Sequence, residues 1–235
     1  MRRTLRQRKR RGGAVIGEGA TAFAIDPPPA CKNKTTLKNY IARVSKIRTV
    51  KNILTKSYPA LIRLLKKIDP TQKYFYYPEP CNVKSLTDEN KRDGITDKTK
   101  RYLEIVKKGK EKWFDWRNPE QWRNPTEEQL SHLRKAIDLL HSNKISHGDL
   151  HGDNIIYGDD DLPRIIDFSE SVHDAPEDYL QQEKEFIERG WPTLEYYKVY
   201  QSDTVEGKEV NEKRKEYRRK LLRTRRDDYK EKSKT

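Results

Sequence analysis

Apolar and polar positions alternate in short runs through the first half of the chain. Gly12 to Ile25 (GGAVIGEGATAFAI) places apolar stretches on either side of a glycine-containing turn and predicts strand, turn, strand. Pro27, Pro28 and Pro29 end the pairing, because proline has no amide to give a ladder. Tyr40–Ile47 alternates well enough for another strand. Val50, Ile53, Leu54, Leu61, Leu64, Leu65 and Ile68 recur mostly at helical spacing, and Pro59 predicts two short helices or a kink among them. Lys73–Tyr77 is rich in β-formers and stops at Pro78, which predicts a strand; residues 82–100 are polar and read as loop. Arg101–Lys107 reads as a further strand.

The second half changes period. Thr126 followed by Gln129 forms a capping-box signature, and Leu130, Leu133, Ile137 and Leu140 then share one helical face that ends near Asn143. Two apolar runs, Asn154–Tyr157 and Arg164–Asp167, flank Gly158-Asp-Asp-Asp-Leu-Pro163 and predict a hairpin. Residues 176–201 are helical in pattern with a break at Gly190–Pro192, and residues 208–232 predict a charged helix. A strand-rich half is thus followed by a helix-rich half, without internal repeats.

Charge refines this division. Of the net +14, residues 1–12 carry +7 from seven basic residues and no acid. Residues 206–235 carry +6, from thirteen basic against seven acidic residues, so the body between is near +1. The two basic ends either serve a polyanion, such as nucleic acid or an acidic protein, or are a solvated arm and helix; both readings stand. No apolar run is long enough to predict a transmembrane span, and no apolar segment follows the basic N-terminus as a secretory signal requires. Cys31 and Cys81 are too few for a disulfide framework and lack metal-ligand spacing, so a reducing, intracellular and cytoplasmic setting is the simplest expectation.

The densest chemistry lies in Ser146-His-Gly-Asp-Leu-His-Gly-Asp-Asn154, with Asp167-Phe168 thirteen residues later. Asp149 is suited to accept or orient the proton of an attacking hydroxyl. Asn154 and Asp167 offer oxygen ligands to Mg²⁺, a hard cation. His147 reads as a loop brace, and His151 and Asp153 as loop structure. A capped helix, His-x-Asp-x4-Asn, a hairpin and Asp-Phe together resemble the catalytic loop and metal-binding motif of the eukaryotic-protein-kinase-like superfamily. Gly148-Asp-Leu-His-Gly152 also matches a calcineurin-like metallophosphatase motif. That family requires a preceding strand and a later Gly-Asn-His, and this chain has neither.

Gly17-Glu18-Gly19-Ala-Thr-Ala22 resembles a kinase glycine-rich loop, with Ala22 in place of the third glycine, and Lys46 resembles the strand lysine at the α- and β-phosphates. The resemblance covers roughly residues 13–200 and is greatest to small kinases of large DNA viruses, through Ala14–Cys31 and Ile68–Cys81. The His-Gly-Asp form and short second half are similar to Rio kinases, the KEOPS-complex kinase and aminoglycoside phosphotransferases. The chain departs from the pattern in having no Asp or Glu between Lys46 and Ile68, Ser169 after Asp-Phe, Gly148 in place of arginine, and no Ala-Pro-Glu.

The resemblance implies an α+β, two-lobed fold. A basic arm (1–12) precedes a β-rich N-lobe (13–107), a shortened helical C-lobe (108–205) carrying the catalytic loop 147–154 and Asp167-Phe168, and a basic tail (206–235). It further implies ATP with its phosphates at Gly17, Gly19 and Lys46, Mg²⁺ on Asn154 and Asp167, and a serine/threonine protein as acceptor. If the chain is viral, host cytoplasm or virion is the implied location. A binding scaffold without catalysis, and a small-molecule or RNA-associated kinase, are the alternatives.

Overall fold

The computed structural model describes residues 14–18, 22–33, 36–45, 57–83, 103–113 and 124–188, together with helical positions at 208–209, 212–213, 215–216 and 219. The fold is mixed α+β with antiparallel sheets. The chain divides into two units: residues 1–54 with 78–108, and residues 55–77 with 109–235. Among the described residues no helix is long and apolar enough to cross a membrane.

The first unit is a five-stranded sheet. Its strands are β1 (Ala14–Glu18), β2 (Ala22–Asp26), β3 (Tyr40–Ser45), β4 (Glu79–Pro80) and β5 (Leu103–Lys107), in spatial order β1-β2-β3-β5-β4. The glycine-containing segment forms the hairpin its pattern predicts, with Glu18 opposite Phe23 and a register shift between Val15 and Gly17. β2 ends at Asp26, immediately before the prolines. Ile25, Ala42, Val44, Leu103 and Ile105 bury one face of the sheet with Cys31 and Cys81. Lys108 ties the ends of β5, β3 and β2 together, its amide bonded to the Asn39 carbonyl and its ammonium paired with Asp26.

The cysteines correct the sequence expectation, for they are joined in a disulfide with Cα atoms 5.2 Å apart. Fifty residues separate them, and no local pattern reports a contact made by the sheet. The bridge fastens the loop after β2 to the chain after β4. Lys32 N donates to the Asn82 carbonyl beside it (2.6 Å), and Asn33 Nδ2 to the Pro80 carbonyl (2.7 Å).

The second unit begins with α1 (Ser57–Ile68). Pro59 neither kinks nor divides this helix. It sits in the first turn, where the missing amide hydrogen has no intrahelical partner to lose. Residues 48–56 lie outside the described residues. Lys73–Tyr77 is a second correction, since it is not a strand and makes only a single parallel bridge, Phe75 to Ile165. Buried Asp69 explains the difference. Its carboxylate accepts the amides of Lys73, Tyr74 and Phe75 at 2.8–2.9 Å, so a side chain satisfies donors that a ladder would otherwise take.

α2 (Glu127–Ser142) carries the predicted capping box at Thr126 and Gln129 and ends at Asn143, with Leu133, Ile137 and Leu140 buried. β6 (Ile155–Tyr157) and β7 (Pro163–Ile165) form the predicted hairpin. Gly109–Trp113 runs along β6, Lys110 N donating to Tyr157 O and Trp113 N to Ile155 O, both at 2.9 Å. A Cβ at Gly109 would lie 2.7 Å from Ile156 Cδ1, so the approach requires glycine. Buried Arg164 pins the hairpin turn through Asp160 (2.6 Å) and the Leu162 carbonyl (3.0 Å), and reaches the Gln72 carbonyl (3.2 Å). Partial burial pushes the Asp160 carboxyl up, but the hydrogen bonds from Arg164 and the Leu162 amide outweigh it and hold the group below its ordinary value. α3 (Glu177–Glu188) follows, with Tyr179 and Leu180 packed against Val172 and Ala175.

The bridge should contribute about 2–4 kcal/mol by restricting the unfolded chain. Denaturation with and without dithiothreitol checks this. The wild type is expected to unfold earlier when reduced, and the Cys31→Ser, Cys81→Ser double variant to ignore the reductant. An unchanged wild-type transition in reductant would contradict it.

Candidate active site

The loop between α2 and β6 carries the sequence cluster, and its course is set from inside the protein. Helix α2 stops at Asn143, and Lys144 (φ 54°) turns the chain. Ile145 is fully buried, and Ser146 exchanges two backbone hydrogen bonds with Val172, each 2.9 Å. Gly148 then adopts φ 79°, a left-handed conformation that glycine takes at no steric cost. An arginine there, as in the resembled pattern, would carry a Cβ into that region.

Glu183 of α3 holds this turn. Its Oε1 accepts from Ser146 Oγ (3.0 Å) and the Gly148 amide (2.8 Å). Its Oε2 accepts from His141 Nε2 (2.8 Å) and, more weakly, from the His147 amide (3.3 Å). Only 2% of Glu183 is exposed. Burial pushes its carboxyl up. The hydrogen bonds from His141 and Gly148, with the nearby imidazoles, outweigh that and hold it below the usual carboxylate value. Sequence reading placed Glu183 in a helix and gave it no role. Its signal is absent because it acts 35 residues beyond Gly148 and belongs to no local motif.

His147 is fully buried and braces the loop, as its position suggested. Nε2 donates to the Ile166 carbonyl (2.9 Å), while the ring lies 5.1 Å from that of Phe168. Phe168 in turn meets Phe75 edge to face at 5.7 Å. Ser171 Oγ donates to the His147 carbonyl (2.9 Å), so the chain on both sides of Asp167 is tied to the loop.

Asp149, Asn154 and Asp167 are drawn together by this scaffold. Asn154 Nδ2 donates to the Asp149 carbonyl (2.8 Å) and approaches Asp149 Oδ2 (3.5 Å). The Ile166 amide donates to the Asn154 carbonyl (2.9 Å), placing Asp167 one residue from that junction. Asp167 itself has φ 59° and ψ 68°, a left-handed conformation costing a non-glycine residue about 1–3 kcal/mol. Its carboxylate accepts from the Ser169 amide (3.3 Å), capping the short turn Phe168–Glu170. The tethers on Ile166 and Phe168 hold that strained residue. Asp149 and Asp167 are half-buried.

The donor atoms fit a hard cation. The Asn154 amide nitrogen is committed to Asp149, so its carbonyl oxygen is the atom it has to offer, and Asp167 adds a carboxylate one residue beyond the Ile166–Asn154 backbone bond. Among the described residues no group of three or more His, Cys, Asp or Glu could hold a metal ion. One amide oxygen and one carboxylate suit Mg²⁺, which completes its shell with phosphate oxygens and water.

Gly17 lies in β1 of the first unit, opposite Ala24. Gly19 and Lys46 lie outside the described residues. No model of a known protein family matches the chain, and no curated protein matches it.

Glu183→Gln should cost about 2–3 kcal/mol, because an amide cannot accept four donors. The sign with pH follows from the depressed carboxyl. Its stabilisation is present above the ordinary glutamate value of about 4.3 and is lost as pH falls through the lower folded value. Urea unfolding across acidic pH checks both points. Wild type should lose more stability than Glu183→Gln on acidification, and parallel losses would contradict the assignment.

Proposed function

We propose that the chain is a Mg²⁺-assisted, ATP-dependent phosphotransferase of the two-lobed protein-kinase-like fold, with a serine or threonine hydroxyl of a protein as acceptor. The observation that carries this reading is the single constellation of Asp149, Asn154 and Asp167, closed by the β6–β7 hairpin, with Asp167 held in a strained left-handed conformation. Strain of this kind persists where surrounding structure over-determines it, and such places are commonly functional sites.

In this reading Asp149 orients the acceptor hydroxyl and takes its proton as the oxygen bonds to the γ-phosphorus, while the bond from that phosphorus to the β–γ bridging oxygen breaks and ADP leaves. Asn154 and Asp167 would hold Mg²⁺ by their oxygens, and the ion would offset the negative charge of the phosphates. Gly17 and Gly19 give backbone amides to the phosphates, and Lys46 gives a cation to the α- and β-phosphates. The sequence offers no acid between Lys46 and Ile68 to pair with that lysine. The basic ends, residues 1–12 and 206–235, are proposed to attract a polyanion, which brings acceptor and enzyme together without altering the chemistry.

Phosphate transfer from radiolabelled ATP to protein hydroxyls, with and without Mg²⁺, tests the reading. Asp149→Asn should lower kcat by about 10²–10⁴-fold while nucleotide still binds. Asp167→Ala should abolish Mg²⁺-dependent transfer in a variant that still folds, and Lys46→Met should reduce it sharply. Retained turnover in a folded Asp167→Ala variant would show that the site is misassigned.

A further inference from the structure

One polar side chain of the loop, His151, is unused by the mechanism above and lies against Asp149. His151 is half-buried and caps the short turn Gly152–Asn154, its Nδ1 accepting the Asp153 amide at 3.2 Å. The Asp153 carboxylate does not compete for that nitrogen. Its Oδ1 is paired with Lys112 Nζ (2.9 Å), and its Oδ2 stays 4.0 Å from Nδ1. An imidazole that accepts at Nδ1 carries its proton on Nε2. Nε2 lies 3.4 Å from Asp149 Oδ2 and 3.1 Å from Asn154 Nδ2. Both nitrogens are then donors, so their closeness is convergence on one acceptor, the Asp149 carboxylate, and not a bond between them.

We propose that His151 is a positioning residue for Asp149, an Nε2–H donor that fixes the rotamer of the carboxylate facing the acceptor hydroxyl. This rests on the phosphotransfer reading for its consequence, but not for its geometry. Asp149 lies on a loop, and a carboxylate that swings about its χ angles presents its oxygen to the hydroxyl only part of the time. Asn154 holds Asp149 through its carbonyl and approaches its Oδ2, and His151 adds a second donor beside that oxygen. The backbone cap at Nδ1 selects the tautomer and aims the ring. The 3.4 Å separation is long for a hydrogen bond, as such contacts often are before substrate draws the site together.

The test separates capping from positioning in the full-length chain. Asparagine at 151 can still accept the Asp153 amide but is too short to reach Asp149, whereas glutamine reaches it. His151→Asn is expected to lower kcat about tenfold or more with the nucleotide KM within about twofold, and His151→Gln to recover part of the loss. Wild-type kcat in His151→Asn would overturn the proposal. An independent arm reads the ring itself. Imidazole ¹⁵N spectra should show the proton on Nε2, with the Nε2 signal moving in Asp149→Asn. A proton on Nδ1 overturns the proposal whether or not phosphate is transferred. If the wild type transfers no phosphate, the phosphotransfer reading fails, and the spectra alone decide whether His151 engages Asp149.

Discussion

One buried carboxylate organises the candidate site. A charge taken out of water is costly unless donors replace the water, and Glu183 recovers that cost from two backbone amides, a hydroxyl and an imidazole. Three of the four donors belong to consecutive residues, Ser146, His147 and Gly148. Such a row of donors converges on one carboxylate only if the chain curls around it. The curl requires the left-handed Gly148, and it leads the chain directly into Asp149. The shape of the loop is therefore a consequence of satisfying Glu183.

The same economy of support extends to Asp167. A strained backbone relaxes unless its neighbours are fixed, and here both are. Ile166 is gripped through its carbonyl by His147 and through its amide by Asn154, and Phe168 is sealed between His147 and Phe75. Most of the bracing thus falls to side chains other than the two candidate carboxylates. Apolar rings and fully buried polar groups supply rigidity, while the half-buried Asp149 and Asp167 keep access to water and ligand. Arg164 performs an analogous service for the β6–β7 turn, giving its donors to Asp160 and to three carbonyls.

In the first unit the corresponding fastening is covalent. The sheet buries a thin layer of aliphatic side chains, and the disulfide lies among them. A lean core of this kind gains from a cross-link that restricts the unfolded chain, and the link also secures the irregular loop that follows β2.

Local chemistry was legible in the sequence wherever neighbours along the chain decide the outcome. The capping box at Thr126 and Gln129, the glycine hairpin between β1 and β2, and the β6–β7 hairpin all depend on residues within a few positions of one another. The spacing from Asp149 to Asn154 to Asp167 belongs to the same class, because a hairpin of readable length returns the chain. Pro59 falls in the first turn of α1, where proline is harmless, and the residues before it, on which the expected break also depends, lie outside the described ones. Lys73–Tyr77 has the composition of a strand, yet the Asp69 carboxylate captured its amides. The pairing of Cys31 with Cys81 and the hold of Glu183 on Gly148 were decided only by tertiary structure. Each joins residues 35 or more positions apart, and what selects the partner is burial beside it, a property that no single segment of sequence possesses.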